Sequence, residues 1–251
     1  MIDILTNGLL SSPVPIQYTG NYCSHNCSYC FANINNPSRK LDISKLTSQL
    51  KNYQKRNDLP SHFLLDGYPL LISNNIDPFS KSNQPFVNEL IFTLKDMGVP
   101  VALATRGGVG WQEIADNINA SVWYVSIPYQ NDDIRQKYEP NAPTLEERYE
   151  LIDYVIKKSH KVLLSINPFN PEFAPNPIEV IQKAQSLGVK SVIVNKLHLT
   201  PVQQSNMTAK QKETMGEELL EQAKGKKFTN EWLSLAMDMF NYCQENELNL
   251  L

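Results

Sequence analysis

Cysteine is scarce in this 251-residue chain and unevenly placed. Three of the four cysteines fall within eight positions, in GNYCSHNCSYCFA, and the fourth, Cys243, lies far downstream. So lopsided a set argues against a disulfide framework. Long apolar runs are missing as well. None approaches the roughly 18 residues of a membrane span, and MIDILTNGLLSSPV has neither a basic start nor an apolar segment fit for export. A cytoplasmic protein with no membrane partner is expected, in which clustered cysteines serve as metal ligands or redox groups. Charge of either sign is not in excess: 23 Lys+Arg stand against 26 Asp+Glu, a net of -3, so no global field calls for a polyanionic partner. The one basic cluster, AKGKKF around Lys224, Lys226 and Lys227, reads as a solvated helix end and leaves nucleic-acid contact open. Repeats and low-complexity tracts are absent too.

What is present is a regular alternation. Apolar, strand-like runs occur at PIQYT, FLLDGYPLLIS, VPVALAT, SVWYVSI, KVLLSINPF and KSVIVNKL, with helical spacing between most of them. In PTLEERYELIDYVIKKS, Thr144 and Glu147 form a capping box ahead of a stripe of Leu145, Tyr149, Ile152 and Ile156. Ile43, Leu46, Leu50 and Tyr53 make a second stripe behind Asp42. VNELIFTLKDMG and PIEVIQKAQSLG each end in glycine just before a strand, as helix-to-strand turns prefer. Near-continuously apolar strands separated by helices predict a parallel sheet buried on both faces, either an open doubly wound sheet or an incomplete barrel. The expected fold is α/β, an incomplete (βα)6 TIM-type barrel over residues 1–206, with a C-terminal helical extension, 207–251, of two helices packed on the core.

In such folds function gathers beyond the carboxyl ends of the strands. The segments there are GNYCSHNCSYC, SNNIDPFS, TRGGVGW, SIPYQND, NPFNPEFAPNP and NKLHLTP, all polar or rich in turn residues. Cys23, Cys27 and Cys30 follow C-x3-C-x2-C, a spacing that lets one loop wrap a single inorganic centre with soft ligands. A closed zinc site wants four protein ligands, which here requires His25 or the distant His62. Three thiolates on a four-iron four-sulfur cube instead leave one iron open to a small molecule. His25 reads either as a cover for the cluster or as a solvent-facing loop residue, and Tyr29 and Phe31 as walls against water. Cys243 falls in a helical stripe with Trp232, Leu235, Ala236 and Met239 and reads as a core residue.

The cysteine motif, with an aromatic before its last cysteine and after the first strand of a βα series, resembles the radical S-adenosylmethionine (SAM) superfamily. CSHNCSYCFA, SNNIDPF, ALATRGG, VSIPY and YEPNAPTLEERYELI, in that order, are most similar to its spore photoproduct lyase and DNA repair photolyase-like branch. The resemblance implies a lyase-type enzyme with a 4Fe-4S cluster on Cys23, Cys27 and Cys30 and SAM as cofactors. The open iron would chelate SAM and reduce it to a 5′-deoxyadenosyl radical that abstracts hydrogen from substrate. It further implies cofactor contacts from Tyr29, Ser73, Asp77, Arg106, Ser126, Glu139 and Asn167, with Tyr29 and Arg106 in catalytic roles. Glu139, with Arg135 and Arg148, would orient the bound molecule or else form a surface ion pair. GGVG lacks the lysine of a phosphate loop, so its glycines read as backbone room for the cofactor. Implied partners are an external flavodoxin- or ferredoxin-like electron donor and a small-molecule or nucleobase-type substrate. The lyase's additional cysteine after the second strand is missing, as is the long segment before its cluster, so thymine-dimer repair is not implied. Tyr29, Tyr68 and Tyr129 are candidates for radical relay. Two alternatives are a zinc-stabilised binding module and a glycyl-radical activating enzyme.

Overall fold

A computed structural model describes residues 14–16, 23–30, 42–72, 76–197, 199–224 and 229–251. Its strands alternate side chains between two apolar layers, as a sheet buried on both faces must. Ile72, Leu103, Trp123, Val125, Leu164 and Val192 belong to the outer layer under the helices, whereas Leu71, Ala102, Val122, Tyr124, Leu163 and Ile193 pack together on the inner face.

The strands are β1 Val14–Ile16, β2 Leu70–Ile72, β3 Val101–Thr105, β4 Val122–Ser126, β5 Lys161–Phe169, β6 Ser191–Lys196 and β7 Asn249–Leu250. They form one sheet in chain order, every neighbouring pair parallel. Strand order never reverses, so the sheet steps round in one sense. That is barrel topology and excludes the doubly wound alternative. The barrel is incomplete, because among the described residues β1 and β7 remain its two edges.

Ten α-helices are described: α1 Ile43–Leu50, α2 Leu59–Leu65, α3 Gln84–Asp96, α4 Trp111–Asn117, α5 Asp132–Tyr138, α6 Leu145–Lys157, α7 Pro177–Ser186, α8 Pro201–Ser205, α9 Ala209–Lys224 and α10 Asn230–Glu245. Asp42 caps α1 by accepting from the Lys45 N–H, and the Thr144–Glu147 capping box opens α6 as its sequence predicts. Gly98 and Gly188, at φ +71° and +101°, take the left-handed turns into β3 and β6. None of the described helices is long and apolar enough to cross a membrane.

Three expectations need correction. FLLDGYPLLIS is not one strand: Asp58 caps α2 at the Ser61 N–H, and Phe63–Leu65 finish that helix before β2 begins at Leu70. The stripe of α1 stops at Leu50, and Tyr53 lies in a separate 3-10 turn, although it still packs on the core. Residues 207–251 are more than two helices. They end in β7, which pairs with β6 through Ser191↔Asn249, and α9 is broken at Gly216, where φ is +72°.

Candidate active site

The segments beyond β1 to β6 close round a cavity of about 480 Å³. Cys23, Cys27 and Cys30 line it, none of them in a disulfide. Their loop is tight: the Cys30 N–H donates to the Cys27 carbonyl at 3.1 Å, and Asn26 takes a positive φ of 55° that asparagine tolerates. It is also anchored from outside. The Ser28 N–H donates to the Tyr138 carbonyl at 2.8 Å, Ser28 Oγ reaches Met215 Sδ on α9 at 3.5 Å, and the Asn141 N–H donates to the His25 carbonyl.

Burial pushes the Cys23 thiol up to about 11, with Asp77 adding to it, and raises Cys27 well above the usual thiol range, with Glu139 next in importance. Iron ligation must therefore displace protons from these sulfurs.

Beneath the cysteines lies a charge network that crosses the chain. Glu139 has no exposed surface; its Oε1 accepts from Arg106 Nε at 2.7 Å and from the Tyr29 hydroxyl, and its Oε2 accepts from Arg148 Nη2. Arg148, equally buried, also donates to the Ser126 carbonyl at 2.9 Å. Burial works against the Glu139 charge, yet Arg106 and then Arg148 hold its carboxyl down to about 2. Two guanidinium groups on one carboxylate leave an excess positive charge. Arg106, on the cavity wall, presents it. Arg106 Nη2 donates to the Tyr29 hydroxyl at 3.2 Å, and the Tyr129 hydroxyl donates to the same oxygen at 3.3 Å.

The Asp77 carboxylate ties two loops together. It accepts from the Phe79 N–H at 3.0 Å, Thr105 Oγ1 at 2.7 Å and the Arg106 N–H at 2.6 Å, and lies 3.4 Å from His25 Nε2. Burial opposes its charge, but His25 and these donors hold it below the ordinary carboxylate range. Ser126 Oγ donates to the Asn167 carbonyl at 2.9 Å, and the exposed Asn167 lines the cavity.

Of the residues singled out by sequence, Cys23, Cys27, Cys30, Tyr29, Asp77, Arg106, Ser126 and Asn167 share this one cavity. Ser73 and Phe31 lie outside the described residues. Glu139 is not on the cavity wall; it sits one layer below, and its ion pair with Arg148 is fully buried rather than superficial. His25 is buried, donating from Nε2 to the Gly107 carbonyl at 3.1 Å, so it faces no solvent. The glycines of GGVG serve the chain itself. A Cβ on Gly108 would stand 2.0 Å from the Phe79 carbonyl oxygen, which the Val109 N–H meets at 2.9 Å. Neither histidine is set as a fourth zinc ligand: His62 Nε2 bonds Asn57 Oδ1 at 2.8 Å, and among the described residues no three His, Cys, Asp or Glu groups close round a single ion. Cys243 is buried in the core. Tyr124, Ser165, Lys196, Thr200 and Gln203 also line the cavity and were not anticipated. Strand alternation was the available signal for two of them, since Tyr124 shares parity with Ser126, and Ser165 with Asn167.

An incomplete parallel barrel with three clustered cysteines, a guanidinium and strand-end hydroxyls round one cavity defines a protein built to hold a thiolate-ligated cofactor. The chain belongs to the Radical SAM superfamily, whose sequence pattern matches residues 18–174. Its cofactors are accordingly a 4Fe-4S cluster and SAM. Among solved structures it is similar to Streptococcus suis SuiB bound to S-adenosylmethionine (TM-score 0.64, 12% identity, 98% of this chain and 51% of that one). It is also similar to Streptococcus suis SuiB bound to precursor peptide SuiA (0.62, 14%, 98% and 50%) and to methylornithine synthase, PylB (0.54, 13%, 98% and 73%). The chain thus spans about half the length of SuiB. No curated protein sequence matches it significantly.

Proposed function

We propose that this chain is a radical SAM enzyme that cleaves SAM reductively at a cluster held by Cys23, Cys27 and Cys30 and directs the resulting radical at a small substrate. The observation that carries the reading is that the three cysteines, none in a disulfide, and the positively charged Arg106 share the wall of one cavity. When bound, the cluster and SAM supply a 5′-deoxyadenosyl radical that removes a hydrogen atom from substrate. The chain's own residues bind and orient. Arg106, its Nε fixed on Glu139, turns its remaining donors toward a carboxylate, for which a forked guanidinium is well shaped. Ser126 and Asn167, at the ends of β4 and β5, offer hydrogen bonds along the cofactor's ribose or carboxylate edge. Tyr29 keeps water from the thiols, and burial holds its phenol protonated against the pull of Arg106. Asp77 fixes the loops after β2 and β3, so it positions Arg106 as well as facing the cavity.

Electrons come from an external flavodoxin- or ferredoxin-like donor. The order of CSHNCSYCFA, SNNIDPF, ALATRGG, VSIPY and YEPNAPTLEERYELI along the chain supports a nucleobase-type substrate and kinship to spore photoproduct lyase. In domain terms the catalytic core is 1–206, braced by 207–251.

Anaerobic reconstitution tests the proposal. The protein should take up about four irons, lose them in Cys27→Ala, and yield 5′-deoxyadenosine from SAM and dithionite. A correctly folded chain that binds about one zinc and no iron overturns it.

A further inference from the structure

Among the described residues two buried side-chain polar atoms lack a hydrogen-bond partner, and one is the Tyr124 hydroxyl. Tyr124 is 7% exposed and belongs to the inner face of the barrel. Its in-register neighbours are Ala104 on β3 and Leu163 on β5, and the rest of its cluster is Leu71, Ala102, Val122 and Ile193. None of these side chains can accept or donate; Tyr68 and Leu251 also pack against the cluster, but the Tyr68 phenol makes no hydrogen bond to the Tyr124 hydroxyl. A phenylalanine would fill the same position without burying an unpaired hydroxyl, so the fold alone gives no reason for the oxygen.

The surroundings point to a ligand. Tyr124 lines the cavity one pleat step below Ser126, which is in register with Ser165, and so forms the floor beneath the cofactor-facing residues. Ser165, Lys196, Thr200 and Gln203 line the same cavity; Thr200 and Gln203 also cap α8, with Thr200 Oγ1 accepting from the Gln203 N–H and Gln203 Oε1 from the Thr200 N–H, which leaves the Thr200 hydroxyl proton and the Gln203 NH2 as donors. The single carboxylate among the described lining residues, Asp77, is already engaged on the cysteine side. A cavity lined by hydroxyl and amide donors, with its one carboxylate among the described residues already engaged, suits an acceptor-rich molecule. Burial alone raises the Tyr124 phenol to about 12, so it stays a neutral donor at physiological pH.

We propose that the barrel floor is a substrate subsite, where Tyr124 Oη donates a hydrogen bond to a carbonyl or carboxylate oxygen of a small, oxygen-rich molecule entering end-on beneath SAM. The proposal rests on the reading of this cavity as a radical SAM site.

The test uses anaerobically reconstituted protein labelled with 3-fluorotyrosine, with Tyr29→Phe and Tyr124→Phe assigning two of the fluorine resonances. Adding SAM moves the Tyr29 resonance. With SAM present, acetate or thymidine then shifts the Tyr124 resonance saturably, and methylammonium does not; which of the two acts separates a carboxylate from a cyclic carbonyl. Tyr124→Phe binds the active probe about fivefold more weakly and keeps the wild-type urea midpoint. A Tyr124 resonance indifferent to both oxygen probes, while Tyr29 still answers SAM, overturns the subsite alone. So does a Phe variant that binds equally well, or one whose midpoint falls because the hydroxyl was paired within the fold. Silence of the Tyr29 resonance toward SAM removes the reading underneath.

Discussion

A carboxylate shut away from water survives as an anion only where it is paired, and Glu139 lies between the fully buried Arg148 and Arg106, which reaches it from the cavity wall. Replacing it by glutamine keeps the shape but leaves Arg106 and Arg148 without a counter-charge, which should cost about 3 kcal/mol of stability by urea unfolding. The pH dependence has a definite sign. The folded carboxyl titrates at about 2 against an ordinary 4.5, so between those values the unfolded chain binds the additional proton. Glu139 therefore contributes its full stability above 4.5 and loses it as pH falls through 2. The gap in urea midpoint between wild type and Glu139→Gln should be widest near neutrality and narrow steadily in acid; a constant gap would refute the charge as its origin.

At the level of elements, the start of α6 sets where Arg148 stands. The Glu147 N–H donates to Thr144 Oγ1 at 3.2 Å while the Thr144 N–H donates to Glu147 Oε2 at 2.6 Å, and Arg148 follows at once. Thr144→Ala should remove about 1 kcal/mol from unfolding stability, with helix fraying visible in amide exchange over 145–148. The β3–α4 loop is less forgiving. Gly108, at φ +144°, abuts the Phe79 carbonyl, so a methyl group there forces the loops after β2 and β3 apart. Gly108→Ala should cost about 3 kcal/mol and weaken SAM binding through displacement of Arg106, measurable by calorimetry. Unchanged SAM affinity in a destabilised variant would separate the loop packing from the site.

Over the whole molecule, the C-terminal segment acts as a brace. Met215 on α9 touches Ser28 in the cysteine loop, Trp232 packs on Phe169 with centroids 5.3 Å apart, and Met239 and Cys243 enter the same core as the strands. β7 then covers part of the edge of β6. Deleting 230–251 removes the Trp232, Met239 and Cys243 packing and bares the apolar surface beneath it, and the remaining chain should lose its cooperative urea transition and its near-ultraviolet circular dichroism. A truncated chain that unfolds sharply at the wild-type midpoint would make the segment a dispensable appendage.

The sequence by itself determined most of what depends on residues a few positions apart: the α6 stripe, the Thr144–Glu147 cap, the glycines before β3 and β6, the alternating α/β order and the C-x3-C-x2-C loop. These are local because helical and strand periods are local. The end of α2 escaped because a short apolar run such as FLLDGYPLLIS does not distinguish strand from buried helix, and β7 because two residues carry no period. Tertiary structure decided the rest. Tyr29 meets Glu139 across 110 positions and Arg106 meets it across 33, so only the closing of the barrel could reveal that Glu139 lies under the cavity rather than in it. The same closing gave Gly108 to a neighbouring carbonyl and left the Tyr124 hydroxyl alone on the inner face. Depth and partnership arise when separate strands come into register, and no stretch of chain contains that information alone.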